Sequence, residues 1–133
     1  MNTDPISDML TRIRNAQAVG HKTVIFPFSK IKFELAKIIS NEGFIGAVLE
    51  KEKGAKKKIE VVLKYKDAKN TIPKIQGLIK VSRGGQKIYA GRKDLMAISK
   101  GRGIAILTTS QGLTIDREAR KKRIGGEVIC KVW

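Results

Sequence analysis

The chain has 133 residues, 41% of them hydrophobic, enough for one ordinary domain or two small ones and too apolar for a disordered segment. Twenty-eight Lys and Arg oppose twelve Asp and Glu, a formal charge of +16. That imbalance points to a polyanionic partner, nucleic acid first and an anionic membrane surface second, and a single cysteine excludes an intramolecular disulfide framework.

Asp4-Pro5 predicts a helix start: a carboxylate N-cap, then proline at the first helical position. Ile6, Met9, Leu10 and Ile13 recur at helical spacing, and Gly20 closes the helix. The acid before any base at the N-terminus, with no apolar run behind it, predicts an intracellular protein without a secretory signal. No stretch reaches the length of a membrane span. Thr23 to Phe28 predicts a short strand, with Pro27 marking an edge or an end. Ser29 predicts the next N-cap, with Ile31, Leu35, Ile38 and Ile39 as the buried stripe of a second helix ended by Gly43. Residues 44–51 and 57–65 read as the strands of a hairpin whose turn holds Gly54 and a lysine run.

Residues 67–71 are polar and Pro73 follows, so residues 67–72 read as a linker between an N-terminal module (1–66) and a C-terminal module (73–133). Beyond it, residues 75–82 and 86–90 flank Arg83-Gly84-Gly85, another hairpin signal. Residues 93–99 fit a short helix or a turn, and Gly103 to Leu107 a compact apolar strand. Thr114 is expected to cap a helix from Ile115 to Lys122, stopped by Gly125-Gly126, and residues 127–133 to form a closing strand. The fold class that follows is α+β: an N-terminal α-β-α-β-β module and a mostly β C-terminal module with one short helix.

Catalytic chemistry finds little support. The only histidine, His21, and the only cysteine, Cys130, cannot assemble a zinc site of the usual spacing. Ser110 is preceded at two residues by Thr108, where a nucleophile elbow needs glycine. Gly101-Arg102-Gly103 lacks the third glycine of a dinucleotide fingerprint, and no P-loop is present. No catalytic residue, metal site, cofactor or small-molecule substrate is therefore expected.

Binding chemistry finds more. In Thr108-Thr109-Ser110-Gln111-Gly112, three hydroxyls can donate to and accept from phosphates, ribose hydroxyls and base edges, and Gly112 allows close backbone approach. The same residue types also build turns, and spacing alone leaves the two readings balanced. The excess of charge in the second half tips the balance toward binding: residues 67–133 carry 15 basic and 5 acidic side chains, residues 1–66 carry 13 and 7. Tyr89 can stack on an unpaired base or pack within a sheet. Ser29, Lys30 and Lys32 at a helix start make a candidate phosphate site, or a solvated helix face.

The segments "DPISDMLTRIRNA", "TTSQG" and "DREARKKRIGGEVICKVW" resemble, in order and along the whole chain, the bacterial small-subunit ribosomal protein S-eight family. The resemblance implies a ribonucleoprotein component in the cytoplasm. It would be a primary binder of small-subunit ribosomal RNA that grips an irregular helix of the central domain and helps order the platform. Neighbouring proteins of the small subunit, S-five and S-twelve, would be its partners. It also implies RNA contacts at Thr108, Thr109, Ser110 and Gly112, at Tyr89, and at Glu127 after the paired glycines. Backbone contacts would fall near Thr3, Asn15, Ser29, Lys30 and Lys32. The chain departs from the family pattern at Thr108, where serine is usual, at Gly84-Gly85, where proline-glycine is typical, and at Lys131, where an apolar residue is common. The rivals are a general RNA-binding module, an architectural DNA-binding module and an RNA-modifying enzyme.

Overall fold

The computed structural model describes residues 4–81, 89–90 and 103–133. The expected Arg83-Gly84-Gly85 turn, the 93–99 element and Thr3 lie outside them. Contacts divide the chain into two compact units that meet between Gln76 and Gly77.

The first unit is α-β-α-β-β. Helix α1 spans Pro5–Ala18, and the Asp4 carboxylate accepts from the amides of Ile6 (3.1 Å) and Ser7 (3.2 Å). These bonds satisfy donors that the first helical turn leaves open. Met9, Leu10, Ile13 and Ala16 form the buried stripe. Strand β1 (Thr23–Pro27) lies at one edge of a three-stranded antiparallel sheet, beside β3 (Lys56–Val62), with β2 (Val48–Lys53) at the other edge. Proline lacks a backbone donor, and Pro27 sits where a ladder tolerates that. The strands are shorter than the hydrophobic runs suggested. Residues 44–47 instead form an irregular approach in which the Gly46 amide donates to the Val62 carbonyl at 2.7 Å.

Helix α2 (Lys30–Asn41) corrects one expectation. Its buried stripe is Lys32, Leu35, Ala36 and Ile39, while Ile31 is 38% exposed and Ile38 half-buried. The stripe runs through a lysine because the Lys32 stem is apolar and its ammonium lies 5.6 Å from the centre of the Phe26 ring. Burial pushes the Lys32 ammonium below its ordinary range, opposed by Asp8 and reinforced by Arg12.

Beyond β3 the chain turns back on itself. Tyr65 bridges to Pro73, the Lys66 amide donates to the Ile72 carbonyl (2.7 Å), and the Lys74 amide donates to the Lys64 carbonyl (2.9 Å). The Asp67 carboxylate closes the tip, accepting from the Thr71 hydroxyl, the Thr71 amide and the Ile72 amide. The Thr71 hydroxyl and then the Ile72 amide hold its carboxyl below the usual carboxylate range. A depressed carboxyl pKa adds stability above the unfolded value, and that contribution is lost as pH falls through the folded value. An NMR titration of Asp67 is therefore expected to show a midpoint under 3.8, with the Thr71 and Ile72 amides shifting together. A midpoint at or above 3.8 would mean that the cap is absent in solution.

The second unit is an antiparallel sheet centred on β8 (Gly126–Val132). Strands β4 (Leu78–Lys80), β5 (Tyr89–Ala90) and β6 (Ile104–Thr109) all pair with β8, and β7 (Gly112–Ile115) pairs with β6. Helix α3 (Asp116–Lys122) covers one face. Between helix and sheet, Ala119 of the helix and Ala105, Leu107 and Val128 of the strands form a fully buried cluster with Val81 and Ile124 against it. The expected Thr114 cap is not formed: Thr114 and Ile115 belong to β7, paired with Leu107 and Ile106, so strand pairing claims the backbone first. The helix ends on Arg123 in the left-handed region (φ 58°), ahead of the glycine pair, and Gly126 already belongs to β8. The mixed α+β class, with α-β-α-β-β first and a mostly β sheet with one short helix after it, agrees with the expected fold class.

Candidate nucleic-acid interface

The Thr108–Gly112 segment is the end of a hairpin rather than an open loop. Thr108 and Thr109 are strand residues of β6, Ser110 and Gln111 make the turn, and Gly112 opens β7 opposite Thr109. The Thr109 hydroxyl accepts from the Gln111 amide (3.0 Å) and donates to the Gly112 carbonyl (2.9 Å). The positive φ of the turn falls on Gly112 (99°), where no atom crowds the missing side chain. Glycine is required there for its backbone conformation, not for space. The turn reading thus holds for Thr109. The Ser110 side chain is exposed and Thr108 half-buried, and neither hydroxyl is bonded within the protein among the described residues. Both remain available to a ligand.

Register brings the other candidates alongside. Thr108 lies opposite Leu113 on one side and Glu127 on the other, and Glu127 lies opposite Tyr89. One row, Tyr89–Glu127–Thr108–Leu113, therefore crosses four strands next to the turn. Leu107 and Val128 point beneath α3, so the alternation of strand side chains sends Thr108 and Glu127 to the opposite face. A bulge sets this phase: Ile106 pairs with Cys130 but Leu107 pairs with Val128, leaving Ile129 as the extra residue. The burial of Cys130 pushes its thiol up to about 12, so it is an inert core side chain.

Sequence reasoning missed Gly126 as part of this region. A Cβ there would stand 2.4 Å from the Thr108 carbonyl oxygen and 2.8 Å from the Thr109 methyl. The glycine pair read as a helix stop is thus a close-approach site, and the only available signal was its place directly before a strand.

Basic charge flanks the row. Arg117, Lys121, Lys122 and Arg123 are exposed on or just after α3, and Lys121 shares a 3.8 Å contact with Glu118. The remaining candidates lie in the first unit. Asn15 is exposed on α1 and Lys30 on α2. The Ser29 hydroxyl is engaged as the α2 cap, accepting from the Lys32 amide at 3.2 Å, and Lys32 is turned inward to Phe26. Of that trio, Lys30 alone presents its charge to solvent. Among the described residues no group of three or more His, Cys, Asp or Glu could hold a metal ion, and no helix is long and apolar enough to cross a membrane.

Comparison with known proteins gives a consistent result. The sequence matches the family model described as Ribosomal protein S8 over residues 4–133. It is 46% identical to the small ribosomal subunit protein uS8 of Solibacter usitatus, across the whole of both chains. It is 47% identical to that of Nostoc punctiforme, over 98% of this chain and 97% of the relative, and 48% identical to that of Crocosphaera subtropica over the same shares.

Proposed function

The chain belongs to the ribosomal protein S8 family, a family of structural ribosomal proteins and not of enzymes, and from that premise we propose how it works in the small subunit. It is a primary binder of ribosomal RNA that holds an irregular helix of the central domain and helps order the platform. Its immediate protein neighbours are other small-subunit proteins, S-five and S-twelve among them, and it works in the cytoplasm. The C-terminal module recognises the RNA, and the N-terminal module, at Thr3, Asn15, Ser29, Lys30 and Lys32, adds contacts to the backbone.

One observation carries this reading: the four-strand row Tyr89–Glu127–Thr108–Leu113 runs beside the exposed Ser110 turn in a strongly basic chain. Lysines and arginines supply affinity through phosphate neutralisation, which carries no sequence information. Discrimination falls to the row. The Thr108 and Ser110 hydroxyls both donate and accept, suiting ribose hydroxyls and base edges. Glu127 repels phosphate, so its use at such a surface is to accept from a base amino group or a 2′-hydroxyl. Tyr89 supplies a ring on which an unstacked base rests.

Competition binding at matched salt tests the proposal. A central-domain fragment of small-subunit ribosomal RNA is expected to outcompete duplex DNA of equal length, with affinity falling steeply on a log–log salt plot. Preference for the duplex DNA would sink the reading.

A further inference from the structure

The segment from Lys64 to Lys74 forms a short two-stranded ribbon whose outer face is built of lysine. Lys64 and Lys74 are direct cross-strand partners, and Lys66 lies opposite Ile72. Lys64 and Lys66, two apart on one strand, share a face and stand about 7 Å apart at a rise of about 3.3 Å per residue. Lys69 sits at the tip. Lys22 joins from the neighbouring turn, its carbonyl accepting from the Leu63 amide at 2.9 Å. All five lysines are exposed. The opposite face of the ribbon is half-buried, and there the Tyr65 hydroxyl donates to the His21 carbonyl at 2.5 Å.

Like charges placed directly opposite on a ladder destabilise it. Among the described residues none of the five lysines takes part in an ion pair. The nearest carboxylate in sequence, Asp67, is engaged in closing the tip. The ribbon is held by its Asp67 cap, its Tyr65 clamp and the packing of Gly20, where a Cβ would lie 2.8 Å from the Asn70 carbonyl oxygen. The ribbon backbone is therefore braced, and it carries these lysines without a carboxylate partner among the described residues.

We propose that the lysine face of the 64–74 ribbon is a second anion-binding surface, on the first unit, that takes the phosphodiester backbone of RNA. It is separate from the Thr108 row and rests on the RNA-binding reading above. An RNA backbone fits better than a lipid surface, because the ribbon is a lysine array with one apolar side chain, Ile72, on its face, whereas interfacial helices expose a broad apolar face. A phosphate contact adds affinity without sequence preference and adds about one unit to the salt slope per lysine engaged.

The test compares the full chain with Lys64→Gln/Lys74→Gln and with Lys64→Arg/Lys74→Arg, binding the central-domain RNA from 0.1 to 1 M salt. The glutamine pair is expected to lower the salt slope by about two, to weaken binding at 0.1 M by roughly a hundredfold, and to leave the preference for RNA over duplex DNA unchanged. The arginine pair is expected to keep the parent slope. An unchanged slope in the glutamine pair, whether or not affinity falls, overturns the surface while leaving the Thr108 row intact. Loss of binding to phosphatidylserine vesicles with that unchanged slope would reassign the lysines to a membrane. Parent protein without RNA preference overturns the reading beneath, and this surface with it.

Discussion

Gly126→Ala is expected to lower the melting temperature by about 10 °C and to weaken RNA binding even well below the transition. The added Cβ would stand 2.4 Å from the Thr108 carbonyl oxygen, closer than real side chains come, and 3.1 Å from its carbonyl carbon, a tight contact. Both neighbours are backbone, so no rotamer change relieves the clash. Relief requires β6 to draw away from β8, just where Thr108 faces Glu127. Overpacking of this kind costs about 1–3 kcal/mol, and the backbone contact puts this case at the upper end. For a chain of this size each kcal/mol is worth about 3–5 °C. Binding suffers separately, because the row loses its spacing. Thermal denaturation followed by circular dichroism reads the first effect, and titration with RNA at low temperature the second. A melting temperature equal to the parent's would show that β6 does not approach β8 this closely.

The double variant Thr109→Ala/Ser110→Ala is expected to bind RNA about a hundredfold more weakly and to keep its fold. Lost hydrogen bonds cost about 1 kcal/mol each, and up to 3 where a partner is left stranded, so two hydroxyls supply roughly the 2.7 kcal/mol that a hundredfold requires. The two residues contribute differently. Ser110 is exposed and makes no bond within the protein among the described residues, so its loss is felt only by the ligand. Thr109 fastens the turn through Gln111 and Gly112, so its loss acts by letting Ser110 wander. Ser110→Ala alone should therefore leave the melting temperature in place, while Thr109→Ala alone should lower it slightly. Unchanged RNA affinity with a lowered melting temperature in the double variant would reduce the whole segment to a structural turn.

Local chemistry was legible in the sequence, and long-range pairing was not. Asp4-Pro5 and Ser29 announced their helices because an N-cap is decided within four residues. Pro27 announced an edge because it removes a donor. The α2 stripe was misplaced because a pattern of polar and apolar letters counts Lys32 as polar, although most of its length is hydrocarbon. Strand β7 went unseen: it has four residues, and its Thr114 also suits a helix cap. The bulge at Ile129 leaves no mark in a run of apolar residues, yet it decides that Glu127 and not Val128 stands opposite Thr108. The candidate site was legible only as separate pieces. The "TTSQG" segment stood out by composition, but nothing local connects Tyr89 and Glu127, 38 positions apart in the numbering, and their pairing exists only in the folded sheet.

The central position of β8 also imposes an order of events on synthesis. Strands β1, β2 and β3 lie within forty residues of one another, so the first sheet can close as soon as they emerge. The second cannot. Strands β4, β5 and β6 all precede β8, the strand at the centre of their sheet, and the apolar run Ile104-Ala105-Ile106-Leu107 is synthesised before it. Until β8 is added the chain carries a formed basic unit and strands whose β8 edge is unpaired. A premature stop before Gly126 would leave that state permanent, with β4 and β5 unmated and β6 held by β7 alone, a substrate for chaperones and proteases rather than for assembly.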